Sequence, residues 1–273
     1  MGIVSRSLPI IALTFFVLAL PVVGIARDDR AGVDVGDPSM LRKLVSAKEV
    51  EKIGAAQYRQ VTQSAQSKGQ LLPASHPQVK RVIGIAERLL PFTEKFNQRA
   101  KDWSWEVNVF DANVINAFCM PGGKIALYTG LLNRLQLTDD EVAMIMGHEV
   151  AHALREHARE RMAKSMLTNV GAVALGWFTG SDTAGQLARQ GGQLLSLKFS
   201  RDDESESDLI GMEIAARAGF DPRAGVTLWQ KMSRAAKGAP MEFLSTHPSG
   251  PTRIQTIREN LPAVMPLYEA AKG

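Results

Sequence analysis

Two histidines four residues apart, His148 and His152, with Glu149 between them, lie inside a long helical stretch. They constrain this 273-residue chain more than any other feature. On a helix, residues i and i+4 share one face, one turn apart. Imidazoles so placed can reach a single zinc ion at about 2.0–2.1 Å. Glu149 then stands beside the metal, where a carboxylate can take a proton from bound water. Three fixed positions in a chain with five histidines are only suggestive, so helical context and a third ligand must carry the rest.

The context is helical. Thr138 and Glu141 have the N-cap and N3 spacing of a capping box, and Asp139 and Asp140 suit the positive end of a helix dipole. From Asp139 to about Ala163 there is no proline and one glycine, which predicts an unbroken helix. Its first half, Val142 to Leu154, is apolar nearly all round, as in a buried helix. Buried His and Glu side chains need partners, because an unpaired polar group there costs roughly several kcal/mol; a metal would supply them. After Leu154 the run turns charged and is expected to emerge into solvent, with His157 off the ligand face and on the surface.

At the N-terminus, Arg6 precedes an apolar core from Leu8 to Val23, and Gly24-Ile25-Ala26 has small-x-small character, so residues 1–26 read as a secretory signal peptide. Pro9 and Pro21 bracket only eleven residues, short of the roughly 20 that span a bilayer. The remaining 27–273 are expected to form one domain behind a flexible leader at 27–39, and the predicted location is the periplasm. Cys119 is the sole cysteine, so no intramolecular disulfide supports the fold. A net charge of +4, falling to about +3 without Arg6, and the lack of a basic tract argue against nucleic acid as a partner.

Helical patterns are expected near 41–64 and 79–90, with a loop between them that holds His76 as a surface residue. Trp105, Val107 and Val109 alternate with polar residues as a strand does. Residues 116–120 and 124–128 flank Pro121-Gly122-Gly123 and read as a hairpin. The run 167–178 is too short for a transmembrane span and reads as a buried or membrane-touching amphipathic helix. The elements sum to an α+β, mostly helical domain with a small antiparallel sheet packed by the His148-bearing helix.

Candidates for the third ligand cluster at the start of a helix running from Ser200 to about Gly219. Glu204 and Asp208 share one face of it, and Glu206 lies on the other side. One carboxylate can bind metal while the other, a turn later, orients a ligand histidine through its free N–H. A solvated acidic first turn would also account for this composition.

From Trp103 to Glu259 the chain resembles the HtpX and CAAX-prenyl-protease type of zinc metallopeptidases, above all their exported LoiP- and BepA-like branch. The residues that carry the likeness are Asn116-Ala117-Phe118, Pro121-Gly122-Gly123, Thr129-Gly130-Leu131-Leu132, Gly147 to His152, Ser200-Arg201 with Glu204 and Asp208, and Thr246-His247-Pro248 with Arg253. The resemblance implies a zincin-like fold and one Zn²⁺ held by His148, His152 and Glu204, with Glu149 as general base and Asp208 behind the ligands. It places His247 over the metal, as a gate or as a donor to the reacting carbonyl, and Arg253 nearby. The strand at Asn116, Ala117 and Phe118, or its hairpin mate, would pair with an extended substrate. The implied activity is a metalloendopeptidase acting on unfolded or misfolded cell-envelope proteins, with possible peripheral membrane or outer-membrane assembly contacts; a non-proteolytic chaperone using the same cleft is the rival. The C-terminal repeat domain of BepA-like members has no counterpart in this sequence.

Overall fold

The computed structural model describes residues 32–179, 194–237, 241–248 and 251–273. The signal-peptide reading at 1–26 lies outside them. At the centre is helix α4 (Asp139–Leu154), which follows the short helix α3 (Thr129–Arg134) and is buried on every side from Glu141 onward. Its apolar circumference explains why: each face has a neighbour. Helix α2 (Pro77–Leu89), the sheet, α6 (Arg201–Arg217) and α7 (Ala224–Ala236) all pack on it, and α9 (Pro251–Lys272) covers α6 from outside. His76 is not a free loop residue. It caps α2, its Nδ1 accepting from the Gln78 N–H at 3.2 Å.

The sheet has three strands, β1 (Glu106–Phe110), β2 (Ala117–Met120) and β3 (Lys124–Tyr128), in the order β1-β3-β2. β2 and β3 form the expected antiparallel hairpin, with Gly122 and Gly123 at φ 86° and 80° in its turn. A Cβ on Gly123 would also meet the Trp105 ring at 2.7 Å. β1, however, pairs with β3 in parallel, Glu106 opposite Lys124 through Phe110 opposite Tyr128. The sheet is therefore mixed, not antiparallel throughout. Alternation and turn residues specify the hairpin but leave open which of its strands β1 will join. One face, with Val109, Ile125 and Leu127, packs into the main core; the other, with Phe110, Phe118 and Ala126, closes on Tyr58 of α1 (Ala47–Ser67). β2 is left at the sheet edge.

A second difference is in the long helix. It breaks after Leu154, and α5 (His157–Thr179) starts in a new direction. Glu156 takes a left-handed φ of 59°, and Arg159 (2.8 and 2.9 Å) and Arg42 (3.1 Å) hold its carboxylate. Arg155, Glu156 and His157 are consequently buried rather than exposed. Met166 and Leu167, further along α5, are about half exposed; among the described residues no helix is long and apolar enough to cross a membrane. Residues 32–39, expected to be loose, are docked. The Val33 N–H donates to the buried Glu213 carboxylate at 2.8 Å, and Arg155 Nη2 donates to Gly36 O at 3.0 Å.

The start of α4 is fixed by the capping box, Thr138 Oγ1 accepting from the Glu141 N–H and Glu141 Oε2 from the Thr138 N–H. Burial would raise the Glu141 carboxyl, but hydrogen bonds from the Lys231 ammonium, the Thr138 N–H and the Thr227 hydroxyl outweigh it and hold the group below its usual value. A depressed folded-state value stabilises the protein above the unfolded value of about 4.3 and is lost as pH falls through the folded one. Lys231→Met should cost about 1–2 kcal/mol at pH 7. In denaturant titrations the gap from wild type should close in acid below about pH 4.

Candidate active site and metal centre

His148 and His152 project from the buried face of α4, and Glu204 meets them from the first turn of α6. That turn is set by a second capping box: Ser200 Oγ accepts from the Asp203 N–H, and Asp203 Oδ2 from the Ser200 N–H. The two helices cross with backbone against backbone. A Cβ on Gly211 would lie 2.6 Å from His148 N, and one on Gly147 would lie 2.8 Å from Gly211 O. The close approach brings Glu204 within 3.5 Å of His148 Nε2 and 3.4 Å of His152 Nε2. His247, just after the short helix α8 (Glu242–Thr246), completes the group. One donor atom from each of His148, His152, Glu204 and His247 lies within 4.8 Å of the others, and all four residues are buried.

Asp208, one turn after Glu204, lies 3.0 Å from His148 Nδ1. Arg253 of α9 joins both carboxylates: Nε and Nη2 donate to Asp208 at 2.7 Å, and Nη1 donates to Glu204 at 2.6 Å. Its guanidinium stacks 3.5 Å over the Trp229 ring, whose Nε1–H donates to Asp208. His247 Nδ1 is 3.0 Å from Glu204 Oε1, and its ring stacks on Phe243.

Burial is the largest influence on these groups, and charge partners decide where each ends. Burial raises Glu204, yet the three imidazoles around it drive it far below the carboxylate range. His148 would be lowered by burial, but Asp208 and Glu204 push it up to about 9. Burial wins at His152, which falls well below its ordinary value, and at Glu149, which is raised. Glu149 Oε1 is buried without a hydrogen-bond partner among the described residues. Imidazole nitrogens and a carboxylate that converge next to an unsatisfied carboxylate oxygen are a donor set that fits a metal ion with room for a reacting group.

The cleft over this cluster runs between β2 and the segment leading into α6. Phe118, Met120, Glu149, His152, Phe199 and His247 are among its walls. Asn116 donates to Glu242 at 3.2 Å, while Ala117 and Phe118 are buried, on opposite faces of the sheet. β2, at the sheet edge, thus forms one wall of the cleft. Cys119 also lines it, and burial pushes its thiol up.

Phe199, whose ring centroid lies 4.0 Å from that of His152, and Trp229 carry no motif in the sequence that marks them as site residues. His157, expected on the surface, is buried with its Nδ1 2.9 Å from His152 Nδ1. An apolar residue just before an N-cap was the one available signal for Phe199. Nothing local announced the helix break that turns His157 inward.

A buried helix carrying HExxH, crossed by a second helix that delivers an acidic donor, defines a zincin-like metallopeptidase fold. Comparison with known proteins agrees. The model described as Peptidase family M48 matches residues 73–261, and the chain belongs to that family. It is 39% identical over 156 residues to the mitochondrial metalloendopeptidase OMA1 of Arabidopsis thaliana, covering 57% of this chain and 31% of that protein. It is 30% identical over 207 residues to metalloprotease LoiP of Escherichia coli, covering 75% of this chain and 79% of LoiP. It is 29% identical to the beta-barrel assembly-enhancing protease of Escherichia coli, covering 56% of this chain and 34% of that protein. The chain thus spans only about a third of the length of two of these relatives.

If the Gly147–Gly211 contact sets the spacing of the cluster, Gly211→Ala should destabilise the protein by about 1–3 kcal/mol and weaken metal uptake. Gly84→Ala is the control: its Cβ would meet nothing within 4 Å, and a mid-helix Gly→Ala change should be neutral or slightly stabilising. Thermal melts with and without added zinc distinguish the two.

Proposed function

We propose that this protein is a zinc-dependent metalloendopeptidase of the cell envelope, exported by residues 1–26, that cuts unfolded or misfolded proteins in the periplasm. The observation that carries this reading is the buried convergence of His148, His152 and Glu204 beside the unsatisfied Glu149 carboxylate. Family membership, the LoiP likeness and the name of the beta-barrel assembly-enhancing relative support it. The last of these also motivates a peripheral contact with outer-membrane assembly.

His148, His152 and Glu204 would hold the ion, and a nitrogen-rich set of this kind suits zinc. When bound, zinc supplies Lewis acidity, making a water more acidic and polarising a carbonyl. Glu149 takes the proton of the attacking water as its oxygen adds to the peptide carbon, then delivers it to the amine as the C–N bond breaks. Asp208 accepts from His148 Nδ1–H and fixes that ring, and Arg253 holds Asp208 and Glu204 in place. An extended substrate lies along the edge of β2 and is recognised through backbone hydrogen bonds more than side chains.

Glu149→Gln should abolish cleavage of unfolded casein while zinc stays stoichiometric. Equal handling of casein by both forms would instead support a chaperone that uses the same cleft. His247 acts as a gate, since its Nδ1 already lies among the donor atoms, 3.5 Å from His148 Nε2. Replacing it with alanine should raise the casein cleavage rate several-fold; a fall would assign it to stabilising the reacting carbonyl.

A further inference from the structure

The helix break after Leu154 delivers a fourth imidazole, behind the metal cluster. His157 is 2% exposed. Its Nδ1 lies 2.9 Å from His152 Nδ1, and its Nε2 lies 2.7 Å from Glu206 Oε2. Glu206 also pairs with the buried Arg155, and Ser207 Oγ lies 3.5 Å from His157 Nδ1. Phe199 packs 4.0 Å from the His152 ring centroid and limits its rotation.

We propose that His157 is a positioning residue that fixes the tautomer and orientation of His152, with Glu206 as its anchor. The inference rests on the reading of His152 as a ligand through Nε2, the nitrogen that faces Glu204. A ring that gives its Nε2 lone pair to a metal carries its proton on Nδ1 and must donate it. The acceptor facing that proton is His157 Nδ1. His157 must then carry its own proton on Nε2, where the Glu206 carboxylate accepts it. Every donor in this chain meets an acceptor, and each ring is left one tautomer. Ligand histidines need such partners, and losing one typically weakens metal binding by about 10–100-fold.

The two ligand rings are thus held differently, His148 by the Asp208 carboxylate and His152 by an imidazole backed by one. Left-handed Glu156 makes the second arrangement possible. A continuous helix would carry the side chain five residues after His152 away from the ligand face.

The test compares wild type, His157→Leu and His157→Gln by zinc competition against a fluorescent chelator, with apo-protein melts in parallel. His157→Leu should bind zinc 10–100-fold more weakly, by more than any change in apo stability accounts for. His157→Gln should recover most of the affinity, because its amide can both accept from His152 and donate to Glu206. Long-range ¹⁵N imidazole spectra of zinc-loaded wild type should show His157 protonated on Nε2 alone, an arm that holds even if the leucine variant does not fold. Unchanged zinc affinity in His157→Leu, or a proton on His157 Nδ1, overturns the proposal and leaves the metal site standing. Absence of stoichiometric zinc binding by wild type overturns both.

Discussion

Helices α4 and α6 touch through their backbones at Gly147 and Gly211, and the geometry of the site descends from that contact. The close approach of the two backbones brings the Glu204 carboxylate to both imidazoles. A Cβ on Gly147 would lie 2.8 Å, and one on Gly211 2.6 Å, from the backbone of the opposite helix, and the helices would have to move apart, drawing Glu204 back. Two capping boxes fix where each helix begins and so set the rotational phase at which His148, His152 and Glu204 face one another.

That convergence concentrates charge among buried residues. Glu149, Glu204 and Asp208 all lie within the core, each costly to bury unpaired. Arg253 offsets two of them at once through a fork aimed at Asp208 and a single bond to Glu204, and it stacks on Trp229. Glu149 is left out of this arrangement, with one oxygen unsatisfied. A group left so in an otherwise satisfied network is the one suited to exchange protons with a substrate or water.

The HExxH helix, its capping box and the hairpin at 117–128 were legible because their signals are local: ligand spacing, a Thr-x-x-Glu cap, and paired glycines between alternating runs. The acidic start of α6 was legible as a candidate, though spacing alone left a solvated first turn open. Four features were not. The parallel pairing of β1 with β3 depends on which strand edge is free once the hairpin has folded, and no residue of β1 encodes that. The break at Glu156 lacks glycine and proline and is held by Arg42 and Arg159, one of them over a hundred residues upstream. The burial of His157 follows from that break, which is why a charged stretch read as a solvated surface. Residues 32–39 are similar: Asp, Gly and Pro read as loose chain, but the Glu213 carboxylate waits for the Val33 amide.

The proposed chemistry requires one metal ion bound by His148, His152 and Glu204. Anomalous diffraction at the zinc edge from crystals of the purified protein tests this most directly. A single full-occupancy peak is expected about 2.0–2.2 Å from an imidazole nitrogen of each histidine and an oxygen of Glu204. No peak there, or a peak bound by other residues with Glu204 turned away, would contradict it.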